Sequence, residues 1–244
     1  MRIAILTAIG VGGATIVGSL IGFFVRRIPR GFSELSLSFA GGIMLSAAVW
    51  GLMIPSTGDG STLKTLTSAL GVMSGAVFIG LCQRLVPKLR FVAGEGFENG
   101  EADRVIGLVF AMAVHNFPEG VAAGVSLGSG DLGGALAVAG GIALQNIPEG
   151  MAVIPPMLAA GISRKRAAIL AFATGVTEVV GTVFGYRAVT LFSPLLPFSL
   201  AFAGGAMLFV IVHGMMPEAE ETGRLPSYVF CLGFCLMLFV GSLL

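Results

Sequence analysis

The sequence predicts an all-α membrane protein with eight transmembrane helices. Hydrophobic residues make up 55% of the 244 residues and charged residues only 11%, with a mean hydropathy of +0.95, whereas a soluble domain is about a quarter charged. The apolar runs are long and continuous rather than alternating over about 10 residues, which favours helices over a membrane β-barrel. The 37 glycines indicate closely packed helices, because small residues let backbones approach.

Eight segments are long enough to span a bilayer, at about 20 residues each. They cover residues 3–25, 32–54, 63–85, 105–127, 132–159, 165–190, 195–217 and 226–244. The polar, glycine-containing stretch at residues 86–104 predicts a loop and not a second domain, so residues 1–244 are expected to form one transmembrane domain. We interpret the first segment as a retained span, because it has little n-region and ends at Arg26 and Arg27.

The distribution of positive charge predicts the orientation of the spans. Eleven of the 14 lysines and arginines fall on one predicted side, and only Arg2, Lys64 and Arg187 fall on the other. With eight spans, both termini are then outside and the loop at residues 86–104 is cytoplasmic. The net charge is +1, and no basic cluster indicates nucleic-acid binding.

A repeat relates the two ends of the chain. Residues 39–45 (FAGGIML) recur as residues 202–208 (FAGGAML), and at the same offset Gly12, Gly18 and Gly22 fall on Gly175, Gly181 and Gly185. The copies lie five spans apart, so they insert with opposite orientations. Spans 1–3 and 6–8 are therefore predicted to form an inverted repeat around a central pair, spans 4 and 5. Such repeats are typical of transporters, whose sites lie near the middle of the membrane.

Two similar hexapeptides interrupt spans 4 and 5, HNFPEG at residues 115–120 and QNIPEG at residues 145–150. At helical spacing His115 and Glu119 share one face, and Gln145 and Glu149 repeat that relation. Each proline leaves the carbonyl four residues earlier without its helical donor, and in lipid such a carbonyl needs another partner. If the two helices are neighbours, imidazole, carboxylate and amide groups converge, which predicts a cation site.

Three of the 13 acidic residues, Glu119, Glu149 and Glu178, lie deep within predicted spans, with no lysine or arginine at comparable depth. Burying a carboxylate costs several kcal/mol unless it is paired or protonated. We therefore expect a divalent cation among them, with protons as the competing occupant. Imidazole, carboxylate and amide ligands suit zinc, iron(II), manganese, cobalt or nickel.

Other interpretations of these residues stay open. His115 is also consistent with a hydrogen-bonded interior histidine, and Glu178 with a bond to the backbone. Asn116 and Asn146 are equally consistent with capping the carbonyls that the prolines free. Met44 either offers a thioether to the metal or fills the core, as most methionines do.

Residues near the span ends are ambiguous. His213, with Glu218 beyond it, belongs either to a solvated helix end or to an exit relay for metal, and Asp59 on the opposite side is similarly open. The cysteines are expected to be small buried core residues, namely Cys82, Cys231 and Cys235. No His-Glu-x-x-His motif and no P-loop lysine motif occurs, so no enzymatic activity is predicted.

The paired hexapeptides resemble the motifs of the ZIP (Zrt-/Irt-like) metal transporter family and look most like its bacterial GufA-like branch. Residues 40–45 (AGGIML), 175–178 (GVTE) and 213–218 (HGMMPE) add to the resemblance, which covers the whole chain. It implies that divalent zinc, iron or a related metal is the transported substrate, with no prosthetic group. It also implies a rigid four-helix bundle that moves against the other helices without ATP, often within a homodimer, in a bacterial or archaeal cell membrane.

The resemblance further implies a two-metal centre between the fourth and fifth helices. A first metal would be bound by Met44, His115, Glu119, Gln145 and Glu149. A second would use Asn116, Asn146 and Glu178, with Glu119 and Glu149 bridging the two ions.

This sequence departs from the family pattern at the second motif. Gln145 stands where some relatives have histidine, and Asn146 where some have aspartate. The second metal site is therefore expected to be less anionic and weaker, with single-metal occupancy as the alternative. Two other functional classes stay open, a metal-sensing membrane protein that does not transport and a selective cation channel.

Overall fold

The computed structural model describes residues 1–24, 30–89, 100–159, 161–216 and 223–243. Within these ranges the regular structure is entirely helical, which confirms the predicted all-α class. The long helices of these ranges are α1 Arg2–Phe24, α2 Arg30–Ser46, α3 Thr62–Leu89, α4 Gly100–Gly128, α5 Leu132–Ala159, α6 Arg164–Leu191, α7 Leu196–Val210 and α8 Leu225–Leu243.

Helices α2 and α7 are each extended by a wider, π-helical stretch. Ala47–Met53 follows α2 and leads into a last α-helical turn at Ile54–Ser56, and Ile211–Met215 follows α7. A 3₁₀ turn at Ser193–Leu195 precedes α7. Such π-helical stretches are rare and often occur near functional sites, and the sequence did not predict them.

The predicted helix boundaries differ from the structure mainly at the loop assigned to residues 86–104. Helix α3 continues to residue 89 and α4 already begins at residue 100, so both ends of that loop are helical. Residues 90–99 of the predicted loop lie outside the described residues. The bounds of α5 are those that the sequence predicted.

Helix α6 begins at a well-defined turn. Gly161 has a positive φ of 80°, which glycine adopts without a steric penalty. The Ser163 hydroxyl then accepts a hydrogen bond from the backbone N–H of Arg166, which satisfies one of the first free amides of the helix.

The helices pack mainly as four close pairs, α1 with α5, α4 with α6, α2 with α8 and α3 with α7. Glycines lie where the paired helices come closest, because a Cβ atom at these positions would overlap the backbone of the neighbouring helix. Gly150 of α5 faces the carbonyl oxygen of Thr15 in α1, and Gly120 of α4 faces that of Glu178 in α6. The predicted close packing of glycine-rich helices is thereby confirmed.

A glycine contact between α2 and α8 recurs between α7 and α3. Gly42 of α2 faces the carbonyl oxygen of Phe230 in α8, and Gly205, its counterpart in α7 at the sequence offset, faces that of Val72 in α3. The pairing of α2 with α8 thus has the same contact geometry as the pairing of α7 with α3.

Helices α1 and α6 meet at residues that are themselves related by this offset. Gly12 and Gly175 face each other's carbonyl oxygens. One turn further along, the hydroxyl of Thr15 donates a hydrogen bond to the carboxylate of Glu178, at 2.7 Å and a sequence separation of 163 residues. This hydrogen bond therefore joins two residues that are themselves counterparts in the sequence repeat.

Six of the described helical segments are long and apolar enough to cross a membrane, namely α1, α3, α6, α8, and α2 and α7 with their π-helical extensions. Helix α5 is not among them, because the polar residues of its hexapeptide lower its hydropathy. Large apolar side chains such as Leu6 and Phe184 are exposed on the outer surface, as expected for a multi-pass membrane protein.

The expectation of buried cysteines is wrong for two of the three. Cys231 and Cys235 of α8 are exposed, and Cys82 of α3 is half-buried. A thiol behaves as a small hydrophobic group, so an outward-facing cysteine is compatible with the apolar surface of α8.

Candidate metal centre

The two hexapeptides lie side by side in the interior of the helix bundle. Residues 115–120 belong to α4 and residues 145–150 to α5, and both helices continue through their prolines. The polar side chains between and beside them form what we call the polar cluster, which consists of Asn116, Glu119, Gln145, Asn146, Glu149 and Glu178. Each member is buried, and even Glu149, the most accessible, is only 7% exposed.

Hydrogen bonds join the polar cluster across four helices. Gln145 Nε2 of α5 donates to Glu119 Oε1 of α4 at 3.0 Å. Asn146 Nδ2 of α5 donates to Glu178 Oε2 of α6 at 2.6 Å, and Thr15 Oγ1 of α1 donates to Glu178 Oε1 at 2.7 Å.

The two asparagines make equivalent contacts with the backbone. Asn116 Nδ2 donates to the carbonyl oxygen of Thr174 at 3.3 Å, and Asn146 Nδ2 donates to that of Val11 at 3.2 Å. Thr174 and Val11 are counterparts at the offset of the sequence repeat. Neither amide therefore caps a carbonyl that a proline of its own helix has freed.

Several buried oxygens of the polar cluster have no hydrogen-bond donor within the described part of the chain. They are Asn116 Oδ1, Glu119 Oε2, Gln145 Oε1 and Asn146 Oδ1. Buried polar atoms are nearly always partnered, so four open acceptors in one cluster are unusual. Oxygen atoms of this kind are suitable ligands for a divalent cation.

Carboxylate and imidazole groups alone do not complete a metal site. Among the described residues, no three side chains of the His, Cys, Asp or Glu types come together closely enough to hold a metal ion. The amide oxygens of Gln145 and the asparagines would have to supply the remaining ligands.

His115 and Met44 have neighbours outside the polar cluster. His115 Nε2 pairs with Gln83 Nε2 of α3 at 2.8 Å, which places its ring towards α3. Met44 is fully buried among apolar side chains that include Ala40, Ala48 and Ile142. The assignment of these two residues as metal ligands stays a prediction.

The residues near the span ends have distinct surroundings. His213 is exposed, lies 5.2 Å from the ring of Phe209, and lines an open groove of about 570 Å³ together with Gln83 and Arg84. Its role as an exit relay stays a prediction, and Glu218 lies outside the described residues.

Asp59 belongs to an ion pair in the turn before α3. It lies 3.0 Å from Lys64, and both side chains are largely exposed. The hydrogen bond from Lys64, together with one from the backbone N–H of Ser61, lowers the pKa of Asp59 to about 2. This arrangement gives Asp59 a local structural role in the turn.

Two residues of the centre were not identified from the sequence. Thr15 is the counterpart of Glu178 at the repeat offset, so extending the repeat to non-identical positions could have found it. Gln83 is a lone amide in an apolar span, and nothing in the sequence connects it to His115.

The comparisons with known proteins bear on what this centre does. A family model described as ZIP Zinc transporter matches residues 97–241, which is more than half of the chain. The chain belongs to the ZIP zinc transporter family.

Several curated relatives of this ZIP chain are similar over most of their length. The Zinc transporter GufA of Myxococcus xanthus is 37% identical over 91% of this chain and 91% of its own. The Zinc transporter ZupT of Chlorobium chlorochromatii is 35% identical over 87% of this chain and 86% of its own, and the Zinc transporter ZIPB of Bordetella bronchiseptica is 32% identical over 95% and 78%. The predicted resemblance to the GufA-like branch is confirmed.

Family membership also indicates a transporter rather than an enzyme, as predicted. Residues 124–128 read GVSLG, which has the spacing of a serine-hydrolase nucleophile motif. That motif requires a sharp turn between a strand and a helix, whereas these residues lie inside α4. Ser126 is therefore not an exposed nucleophile.

Proposed function

We propose that this protein transports divalent transition-metal ions into the cytoplasm, with zinc as the foremost substrate and iron, manganese, cobalt and nickel as further ones. The observation that carries the proposal is the set of four buried oxygens without donors on the two helices that bear the family motifs. Leaving a buried acceptor unpartnered costs about 1–3 kcal/mol, and a bound cation removes that penalty. The similarity to zinc transporters supports zinc as the substrate.

The proposed primary site consists of Met44, His115, Glu119, Gln145 and Glu149, with Asn116, Asn146 and Glu178 beside it. Glu119 and Glu149 supply two negative charges, which match one divalent cation. His115 joins the site when the ion replaces Gln83 at its Nε2 atom.

The proposed architecture has eight spans, with α1–α3 and α6–α8 as an inverted repeat around α4 and α5. The recurrence of the Gly42 and Gly205 contacts supports this arrangement. Helices α4 and α5 cross the membrane although they are less apolar, because their polar faces point into the bundle, where intramembrane ionisable residues are normally found.

Transport is proposed to occur by movement of one four-helix bundle, α1, α4, α5 and α6, against α2, α3, α7 and α8. The four closest helix pairs each lie within one of these two groups. The charge distribution supports external termini, and the proposed location is a bacterial or archaeal cell membrane. The homodimer that the family resemblance implies stays a prediction.

The test is metal uptake into proteoliposomes that contain a fluorescent zinc indicator. We expect the initial rate to saturate with external zinc, and we expect Glu119→Ala to reduce it to the level of protein-free liposomes, because the substitution removes one of the two charges that match the ion. Asp59→Asn is the matched control, since it also removes one carboxylate but acts in an exposed turn, and it should leave the rate unchanged.

Three results would contradict the proposal. Unchanged uptake in the Glu119→Ala variant would exclude the assigned site. Zinc binding without uptake would favour a sensor, and a rate that rises without saturation would favour a channel. Repeating the assay with iron(II), manganese, cobalt and nickel ranks the substrates.

A further inference from the structure

Glu178 and Glu119 differ in how many of their carboxylate oxygens accept a hydrogen bond. Both oxygens of Glu178 accept a hydrogen bond, Oε1 from Thr15 and Oε2 from Asn146. Glu119 keeps one oxygen without any donor among the described residues. A carboxylate with a donor on each oxygen is held in one orientation and is suited to positioning its neighbours, whereas an oxygen without any donor is suited to binding a cation.

The orientation of the Asn146 amide is determined by its contacts. Its Nδ2 atom lies within hydrogen-bond distance of Glu178 Oε2 and of the carbonyl oxygen of Val11, at 2.6 and 3.2 Å. A carbonyl oxygen is only an acceptor, so the amide nitrogen has to be on this side. The Oδ1 atom of Asn146 therefore faces away from both groups and remains without a donor.

We propose that Glu178 is a positioning residue outside the coordination shell of the transported ion, and that the centre holds one divalent cation per chain. Thr15 and Glu178 anchor the nitrogen of Asn146, so that its oxygen is presented to an ion whose charge is matched by Glu119 and Glu149. This inference rests on the proposed function and specifies how many ions the site takes.

A second cation near Glu178 would have to displace the Asn146 amide from the carboxylate. It would also pull the amide nitrogen away from Val11, because one rigid group makes both contacts. Two hydrogen bonds to Glu178, from Thr15 and from Asn146, connect α1, α5 and α6. A second ion would have to compete with them for the same carboxylate.

The test counts zinc ions in purified, tag-free full-length protein in detergent by mass spectrometry of metal content after gel filtration. The zinc content of the Glu119→Ala single variant, measured in the same way, is subtracted from every count, which removes ions bound at surface residues. For the wild type we expect a difference of one zinc per chain.

The decisive variant is Asn146→Asp. It places a carboxylate oxygen where Nδ2 stands, 2.6 Å from Glu178 Oε2, and two such oxygens repel unless a proton or a cation lies between them. Zinc in excess at neutral pH competes with that proton. We expect a difference of two zinc ions per chain. Adding Glu178→Gln to this variant should return the difference to one.

Glu178→Gln alone distinguishes positioning from coordination. It should keep one zinc per chain, with the zinc affinity lowered by no more than about threefold, because only the anchoring of Asn146 is weakened. Glu149→Gln, the matched control at a proposed ligand, should lower the affinity by about tenfold or more. A loss of comparable size in Glu178→Gln would overturn the inference.

The remaining outcomes are equally informative. Two zinc ions per wild-type chain would overturn the single-ion inference and leave the proposed function intact. One zinc ion in Asn146→Asp would overturn the role of the amide. No Glu119-dependent zinc in the wild type would overturn both the inference and the proposed function. If Glu178→Gln does not give a monodisperse protein, the counts for the wild type and Asn146→Asp still decide.

Discussion

At the scale of single residues, the pairing of His115 with Gln83 controls whether imidazole is available to a metal. The contact joins two nitrogens, Gln83 Nε2 and His115 Nε2, at 2.8 Å. With the Gln83 amide in this orientation, its nitrogen donates and His115 Nε2 accepts. The lone pair that a metal would use is therefore occupied, and binding has to break this hydrogen bond.

Replacing Gln83 by leucine should strengthen zinc binding, because it removes the competing donor at similar size. A net hydrogen bond of about 1 kcal/mol corresponds to an affinity gain of about fivefold. Titration calorimetry of purified protein measures the effect. In a His115→Ala background the same substitution should change nothing, and unchanged or weaker binding in the single variant would show that Gln83 does not compete with the metal.

The sequence predicted all six members of the polar cluster but not their partners. Glu119, Glu149 and Glu178 could be found because acids deep in apolar runs without basic neighbours are rare. The Gln83–His115 pair could not be found, because it joins helices whose relative rotation depends on packing and not on local pattern. The same holds for Asn146 and Val11, which lie far apart in the chain.

At the scale of helices, glycine determines how closely α1 approaches α5. A Cβ atom on Gly150 would overlap the carbonyl oxygen of Thr15 and lie 3.0 Å from the backbone nitrogen of Ser19. These are backbone atoms, so they cannot move aside as the end of a side chain can. The same contact keeps Thr15 within reach of Glu178.

Gly150→Ala should therefore destabilise the protein by about 1–3 kcal/mol, the usual range for overpacking. Gly140→Ala is the matched control in the same helix, because nothing lies within 4 Å of a Cβ atom there. It should be neutral or slightly stabilising, since alanine favours helix by up to about 1 kcal/mol. Thermal unfolding in detergent compares the two, and equal midpoints would contradict the close approach of α1 and α5.

Helix positions were largely predictable, whereas the helix type was not. Apolar runs between polar or glycine-containing turns located each helix, and α5 was predicted at its observed bounds. The π-helical stretches at Ala47–Met53 and Ile211–Met215 were not, because a change from α to π spacing leaves composition and hydropathy unaltered. Their matching positions in α2 and α7 are visible only in the structure.

At the scale of the whole molecule, the offset of 163 residues in the sequence anticipated which helices pack alike. It related Gly42 of α2 to Gly205 of α7, and each of these glycines faces a backbone carbonyl oxygen of the helix that packs against its own. Hydropathy was less informative for α5, a helix that carries part of the centre, because its polar hexapeptide lowers its hydropathy. Polar residues that bind a substrate inside the membrane have this effect on the span that carries them.

The proposed movement of the two bundles predicts that a covalent link between them stops transport. A Cβ atom on Gly51, in the π-helical stretch after α2, would lie 3.7 Å from Cβ of Val138 in α5. This distance is within the range of about 3.5–4.5 Å found in disulfides. Cysteines at both positions should therefore form a disulfide between the bundles, in a background without the native cysteines.

A second pair provides the control within one bundle. A Cβ atom on Gly128 of α4 would lie 3.6 Å from Cβ of Val189 in α6, so the same chemistry links helices that are proposed to move together. Oxidation should stop zinc uptake only in the Gly51→Cys/Val138→Cys protein, with zinc binding retained and uptake restored by reductant. If both oxidised proteins transport at the rate of their reduced forms, α2 and α5 do not slide past each other during transport.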